Sequence, residues 1–307
     1  MKKLQIIFFS FIFLLTFSAC AQEKKLKVVC STLDFADFAK AIGGDIADVY
    51  AISEGDYDLH FFQPKPSQLL RLKKADMLIA GGLGIDPWLT GMIDASRNPR
   101  INFGGSEFVD PSSGVKAIQI LEGKITGEMG DVHPYGNPHY WYDPVNMGII
   151  LDNILKGFVR IAPDQESFFT ENKNKYQEEI MKVFEDLKKK LEPFRGAKML
   201  QFHKSWDYFC NTFGLTLAGS VEPKPGIPPS AGFLETLIER IKTEKIELII
   251  AEPYYSGKPL AFLQNQTGIK VLRLPFYLGS KKEISSFIEN MKYNVNEICK
   301  ALSEKNE

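Results

Sequence analysis

PDQESFFTENKNKYQEEIMKVFEDLKKKLEP, Pro163 to Pro193, is the most helical stretch of this 307-residue chain, and the rest is arranged around it. Tyr176, Ile180, Phe184, Leu187 and Leu191 recur at the three- and four-residue spacing that lines up one helix face, and the opposite face is charged. Pro163 stands where a helix can begin and Pro193 where it must stop, because proline has no amide hydrogen for the interior ladder. Taken as continuous from Asp164 to Leu191, the helix is about 40 Å long at ~1.5 Å per residue. A rod of that length joins the segments before and after it stiffly, and permits small changes of angle rather than wide hinge closure.

On both sides of the rod, short β-branched runs alternate with helical patterns, the signature of parallel βα units. Before it, LKVVCS, VYAIS and MLIAGG read as strands. Helices start near Asp34, Ser67 and Asp86, polar residues suited to capping, and Gly43 and Gly44 end the first of them. After it, KMLQF, LTLAGSV, IELIIAE and KVLRL read as strands, with AGFLETLIERIKTE as a helix between them. The expected fold is therefore α/β: two (β/α) lobes with parallel sheets, residues 27–162 and 194–307, joined by one long rigid backbone helix, 163–193, with a cleft between the lobes.

The opening residues MKKLQIIFFSFIFLLTFSAC have a different character. Lys2 and Lys3 precede an apolar run from Leu4 to Phe17, and the small residues Ser18 and Ala19 precede Cys20. The run is too short to span a bilayer and gives way at once to the polar AQEKKLK, so residues 1–19 read as a signal peptide and the chain as exported. Cys20 resembles the lipobox cysteine of bacterial lipoproteins, which implies a lipidated amino terminus, a tether over 20–26, and anchoring to the outer face of the cytoplasmic membrane. An unmodified Cys20 would instead leave the protein free in the periplasm.

The 37 Lys and Arg nearly cancel the 38 Asp and Glu, leaving a formal net charge of -1, so no electrostatic footprint for nucleic acid is present. Cys30, Cys210 and Cys299 show no C-x-x-C spacing and are odd in number, which fits buried free thiols rather than a disulfide framework.

Chemistry concentrates in the four histidines, His60, His133, His139 and His203. None belongs to a local metal motif such as H-E-x-x-H. Their positions are more telling: His60 follows the second strand and His203 directly follows KMLQF, and ligands of open α/β sheets bind beyond the carboxyl ends of strands. Two lobes facing across a cleft bring these two rings together. His139 sits in GNPHYWYDPVN, a turn stiffened by Pro138 and Pro144 and packed by Tyr140, Trp141 and Tyr142, the rigid setting that a ligand needs. Asp58, Asp143 and Glu252 are carboxylates near the same strand ends. Glu252 closes a fully apolar strand, where a charge needs a partner.

DLHFFQPKPSQLLRLKKADMLIAGG, NPHYWYDP, FHKSWDYF, GLTLAGSVEPKPGIPPS and IIAEPYYSGKPLAFLQNQTGIKVL, in this order, resemble the zinc and manganese solute-binding proteins of bacterial ABC importers. The resemblance runs from about Lys25 to the carboxyl end. It implies two lobes, one backbone helix, one metal in the cleft and a permease partner, with His60, His139 and His203 at three ligand positions and no enzymatic activity. Relatives usually carry an aspartate shortly after the strand equivalent to KVLRL, whereas PFYLGS follows it here, without a carboxylate. The fourth position then falls to Glu252, to water or to His133.

Three imidazoles with at most one carboxylate suit tetrahedral Zn2+; manganese, the alternative, favours sites richer in carboxylate oxygen. His133 and Asp143 are further candidates, for weak capture or for supporting the ligands, and His133 reads as a solvated loop residue beside Glu128 and Asp131. Two rival functions remain open. A zinc hydrolase would use Glu252 as its base, although no nucleophile elbow or H-E-x-x-H helix is present; a surface adhesin would use the same fold and anchor. The expected mode of action is capture and handover by a monomer.

Overall fold

The computed structural model describes residues 25–121, 123 and 133–304; the signal peptide, Cys20, Glu128 and Asp131 lie outside the described residues. The first lobe runs β1 (Leu26–Cys30), α1 (Leu33–Gly43), β2 (Ala47–Ala51), α2 (Pro66–Lys73), β3 (Met77–Ile79), α3 (Leu89–Ser96), β4 (Phe108–Val109) and α4 (Pro144–Ile161). After the connecting α5 (Glu166–Leu191) the second runs β5 (Lys198–Gln201), α6 (Asp207–Phe213), β6 (Thr216–Ser220), α7 (Ala231–Thr243), β7 (Leu248–Ala251), α8 (Gly257–Thr267), β8 (Lys270–Arg273) and α9 (Phe287–Ser303). Each lobe holds a four-stranded parallel sheet, ordered β2-β1-β3-β4 in the first and β6-β5-β7-β8 in the second. The strand order reverses between β1 and β3 and again between β5 and β7, which opens a crevice at the carboxyl ends of each sheet.

The helix starts differ in detail from those the sequence suggests. Thr32, not Asp34, caps α1, its hydroxyl accepting from the Phe35 amide at 3.5 Å. Lys65 occupies the cap position of α2, and the Gln68 side chain accepts from its amide at 2.6 Å. Asp86 turns away from α3 to accept from the Gly81 amide at 2.7 Å. These carboxylates serve tertiary contacts: Asp34 Oδ1 accepts from the amide of Leu278 at 3.3 Å, and Asp37 Oδ2 from that of Phe287 at 2.9 Å, both in the other lobe. Burial pushes Asp34 up to about 8, so this seam carries a neutral acid at pH 7.

α5 spans 26 residues, about 39 Å at ~1.5 Å per residue, and packs on α1 and α4 of the first lobe and on α6 and α9 of the second. The lobes are sewn together beneath the cleft by a single apolar core holding Phe35, Phe38, Trp141 and Tyr142 together with Trp206, Phe209, Phe276 and Phe287. Phe38 meets Phe287 edge-on at 5.2 Å between ring centres, and Tyr142 meets Phe276 at 4.8 Å. Smaller cores lie within each lobe, around Leu78 and Ile93 in the first and Leu237 and Ile249 in the second. Close packing of this kind resists movement of one lobe against the other at their shared base. Cys30, Cys210 and Cys299 are buried free thiols, as expected.

At the back of the cleft the chains cross backbone to backbone. A Cβ on Gly55, whose φ is +76°, would sit 2.0 Å from the Leu278 carbonyl oxygen, and one on Gly279, φ +97°, 2.0 Å from that of Glu54. Gly104 has a similar φ of +74° but open space around it. Gly55→Ala is therefore expected to destabilise the fold by about 2 kcal/mol more than Gly104→Ala, since only the former adds a backbone clash to the strain of the left-handed region. Equal thermal midpoints for the two variants would show that the crossing yields.

Candidate metal centre

Each of three histidines reaches the crevice on a short, fixed piece of chain. His60 lies in a 3-10 turn, Leu59–Phe61, that follows β2; its amide donates to Asp58 Oδ1 at 3.0 Å, and the Trp88 indole donates to the Leu59 carbonyl at 3.0 Å. His139 precedes a second 3-10 turn, Tyr140–Tyr142, whose phenols donate to the carbonyls of Gly81 at 2.6 Å and Phe276 at 2.9 Å. The aromatic run predicted to stiffen this turn does so as fully buried core. His203 stands two residues beyond β5.

The three rings form a near-equilateral triangle, with centres 5.6 Å (His60 to His139), 5.5 Å (His60 to His203) and 5.6 Å (His139 to His203) apart. They are 8, 1 and 3 % exposed, and each offers a nitrogen within 4.8 Å of the other two. Nitrogens around one tetrahedral zinc, at bond lengths of about 2.0–2.1 Å, stand roughly 3.3 Å apart. Shortening the widest of these separations by about 1.5 Å completes the arrangement.

The hydrogen bonds set the tautomers. His139 Nδ1 meets Asn137 Oδ1 at 2.9 Å, and the same oxygen accepts from the His139 amide at 3.0 Å. An amide oxygen can only accept, so Nδ1 carries the proton and Nε2 the lone pair. That Nε2 is buried without a hydrogen-bond partner. His203 Nδ1 meets Glu222 Oε2 at 2.9 Å, which again leaves Nε2 for a ligand. A carboxylate or amide behind the imidazole is the usual support of a ligating histidine.

The other residues expected at the site fall less uniformly. Glu252, fully buried just past β7, stays outside the group of three: its Oε1 accepts from the Trp206 indole at 3.2 Å, while Oε2 has no partner. Burial lifts its carboxyl to about 7. Asp143 Oδ1 caps α4 by accepting from Val145 at 2.8 Å and Asn146 at 2.9 Å, and the side chain bonded to His139 is that of Asn137. His133 is no solvated loop residue: its ring centre is 4.7 Å from that of His60, and its Nε2 is buried without a hydrogen-bond partner. With His139 and His203 it lines a cavity of about 410 Å³ that forms the mouth. PFYLGS, lacking a carboxylate, supplies an aromatic wall, with Phe276 edge-on to His139 at 5.4 Å.

Electrostatics divide the histidines. Burial, then repulsion from His203 and the other rings, holds His60 and His139 well below the ordinary value of 6.5, and burial lowers His133 to about 4. Burial also opposes charge on His203, but its hydrogen bond to Glu222 and the charges of Asp58, Glu222 and Glu252 outweigh it, and the net shift is upward. The sequence pointed to none of this through Glu222, although a carboxylate just past the apolar end of β6 repeats the signal that singled out Glu252.

Comparison with known proteins places the chain among metal-transport proteins. Among curated proteins, the chain is 26% identical to the manganese ABC transporter substrate-binding lipoprotein PsaA of Streptococcus anginosus, over 99% of this chain and 100% of that one. It is 25% identical to the iron-binding protein YfeA of Yersinia pestis, over 92% and 88%. Among solved structures, ZnuA superposes with a TM-score of 0.75 at 24% identity, covering 90% of this chain and 99% of the other. The laminin-binding adhesin Lmb of Streptococcus agalactiae does so with a TM-score of 0.75 at 21% identity, over 90% and 99%, a likeness of fold. Residues 28–301 match the family described as ZnuA, zinc-uptake complex component A, periplasmic, and the chain belongs to that family.

Proposed function

We propose that this protein captures a divalent transition metal outside the cytoplasm, zinc in preference to manganese, and delivers it to the permease of an ABC importer. The observation that carries the reading is the triangle of buried imidazoles, two of them with the lone pair turned inward by a partner on Nδ1. His60, His139 and His203 hold the ion; Glu252 contributes charge behind them rather than a bond, in keeping with its place outside the group. Three nitrogens without a carboxylate oxygen suit zinc better than manganese, which the affinity order of divalent metals also places lower. The names of relatives, which include manganese and iron binders, support a transition metal without choosing among them. A hydrolase would need Glu252 aimed at a metal-bound water, yet its Oε1 is taken by Trp206. Cys20 tethers the protein to the membrane by its lipid, and capture and release involve no bond chemistry beyond ligand exchange.

The test is calorimetry on protein produced without residues 1–20, titrated with zinc and manganese separately and in competition. One zinc per chain that manganese fails to displace is the expected result. Manganese holding its place against zinc would overturn the choice of metal, and no binding of either would overturn the function.

A further inference from the structure

The turn that carries His60 also reaches across the cleft. Asp58 places Oδ1 on the His60 amide at 3.0 Å and Oδ2 on the Tyr255 hydroxyl at 2.9 Å, so one carboxylate ties the ligand-bearing turn of the first lobe to a residue of the second, 197 positions away. Tyr255 is itself well fixed. Its ring stacks on Phe202 at 4.5 Å, 18° from parallel, and on His203 at 6.0 Å, 29° from parallel. Arg273 pins the backbone below by donating to the carbonyls of Glu252 at 3.0 Å and Tyr255 at 3.1 Å. At the outer rim the same turn makes a second crossing: Phe61, 61 % exposed, lies so close to Gly226 of the second lobe that a Cβ there would meet its ring at 2.9 Å.

We propose that the Tyr255 to Asp58 hydrogen bond is a latch across the cleft that sets how long the metal stays bound. The inference rests on the metal-capture reading and deepens it. A metal held by His60 and His203 and a hydrogen bond between Asp58 and Tyr255 both join the turn after β2 to the second lobe, the one at the end of β5 and the other just past β7. While the latch holds, an imidazole that lets go of the ion remains beside it and rebinds; only when both links are open can the His60 turn move away and the ion leave. Because the lobes share a core beneath the cleft, this local opening at the mouth replaces a swing of whole lobes. Tyr255 is thus a positioning residue, touching the ligands His203 and, through Asp58, His60.

Tyr255→Phe is the discriminating variant, since it keeps the ring stacked on Phe202 and His203 and removes only the hydroxyl. Zinc-loaded protein is mixed with excess fluorescent chelator in a stopped-flow instrument, and the association rate is measured separately. The expected result is release about tenfold faster than from the native protein, as loss of one hydrogen bond to a charged acceptor implies, with association changed less than about twofold and the circular dichroism spectrum of the metal-free form unchanged. Adding Tyr255→Phe to Asp58→Ala should accelerate release no further than Asp58→Ala alone, because the two side chains act as one link. Release from Tyr255→Phe at the native rate, or additive effects in the double variant, would overturn the latch while leaving metal capture intact. Failure of the native protein to take up zinc would overturn metal capture, and the latch with it.

Discussion

His139→Ala is expected to weaken zinc binding by more than 100-fold. Structural zinc sites gain about 10–16 kcal/mol from roughly four ligands, so one ligand is worth on the order of 3 kcal/mol, and a tenfold change corresponds to about 1.4 kcal/mol. His139 should sit at the high end. Its ring is 1 % exposed and both its amide and its Nδ1 are fixed by one Asn137 oxygen, so its Nε2 is held in place for the ion. His60→Ala and His203→Ala are expected to fall in the same range. Glu252→Gln, which keeps shape and removes charge, should cost less than about tenfold, and so should His133→Ala, whose nitrogens lie outside the group of three. The check is competition against a chelator of known affinity, with circular dichroism to confirm folding. A loss for His133→Ala equal to that for His139→Ala would mean that the ion sits nearer the mouth than the triangle.

Zinc affinity is expected to fall as pH drops beneath the raised value of His203, with a limiting slope of about one proton. Only neutral imidazole ligates. Burial and the neighbouring rings hold His60 and His139 well below 6.5, so an arriving ion has fewer protons to displace from them than from ordinary histidines. His203 is shifted the other way, so the metal-free protein holds a proton on it through a range in which an ordinary histidine would have lost it. Zinc must displace that proton, and the cost grows as pH falls beneath the raised value. Well below that value the loss approaches tenfold per pH unit. Three ordinary histidines would instead give a slope steepening toward three protons near pH 6. Glu222→Gln removes the hydrogen-bonded charge that raises His203, so its affinity curve should shift to lower pH. Affinities measured at pH 5.5, 6.5 and 7.5 decide the matter; a flat profile, or an unshifted one in Glu222→Gln, would refute this division of roles.

The divided electrostatics mark the border between what could be read and what could not. Periodicity is local, so the apolar face from Tyr176 to Leu191 announced the connecting helix, and β-branched runs announced seven of the eight strands among the described residues; β4, two residues long, is too short to leave a pattern. His60 and His203 were legible because the carboxyl end of a strand is a position in sequence as well as in space, and His139 because prolines and aromatics advertise a rigid turn. Everything that tunes those histidines was decided by folding. Glu222 meets His203 because β6 lies beside β5, Asp58 meets Tyr255 across 197 residues, and Asn137 rather than Asp143 supports His139 because Asp143 is closer to the amides of α4. Glu252 is visible in the sequence as a charge ending an apolar strand, whereas the Trp206 indole that donates to its Oε1 appears only once α6 is packed. The sequence by itself determined which side chains could ligate and on which elements they ride, since these follow from neighbours a few residues away. Which atoms face one another, and so which nitrogen keeps its proton, was left to the tertiary structure, because contacts at hydrogen-bond distance depend on how whole lobes pack.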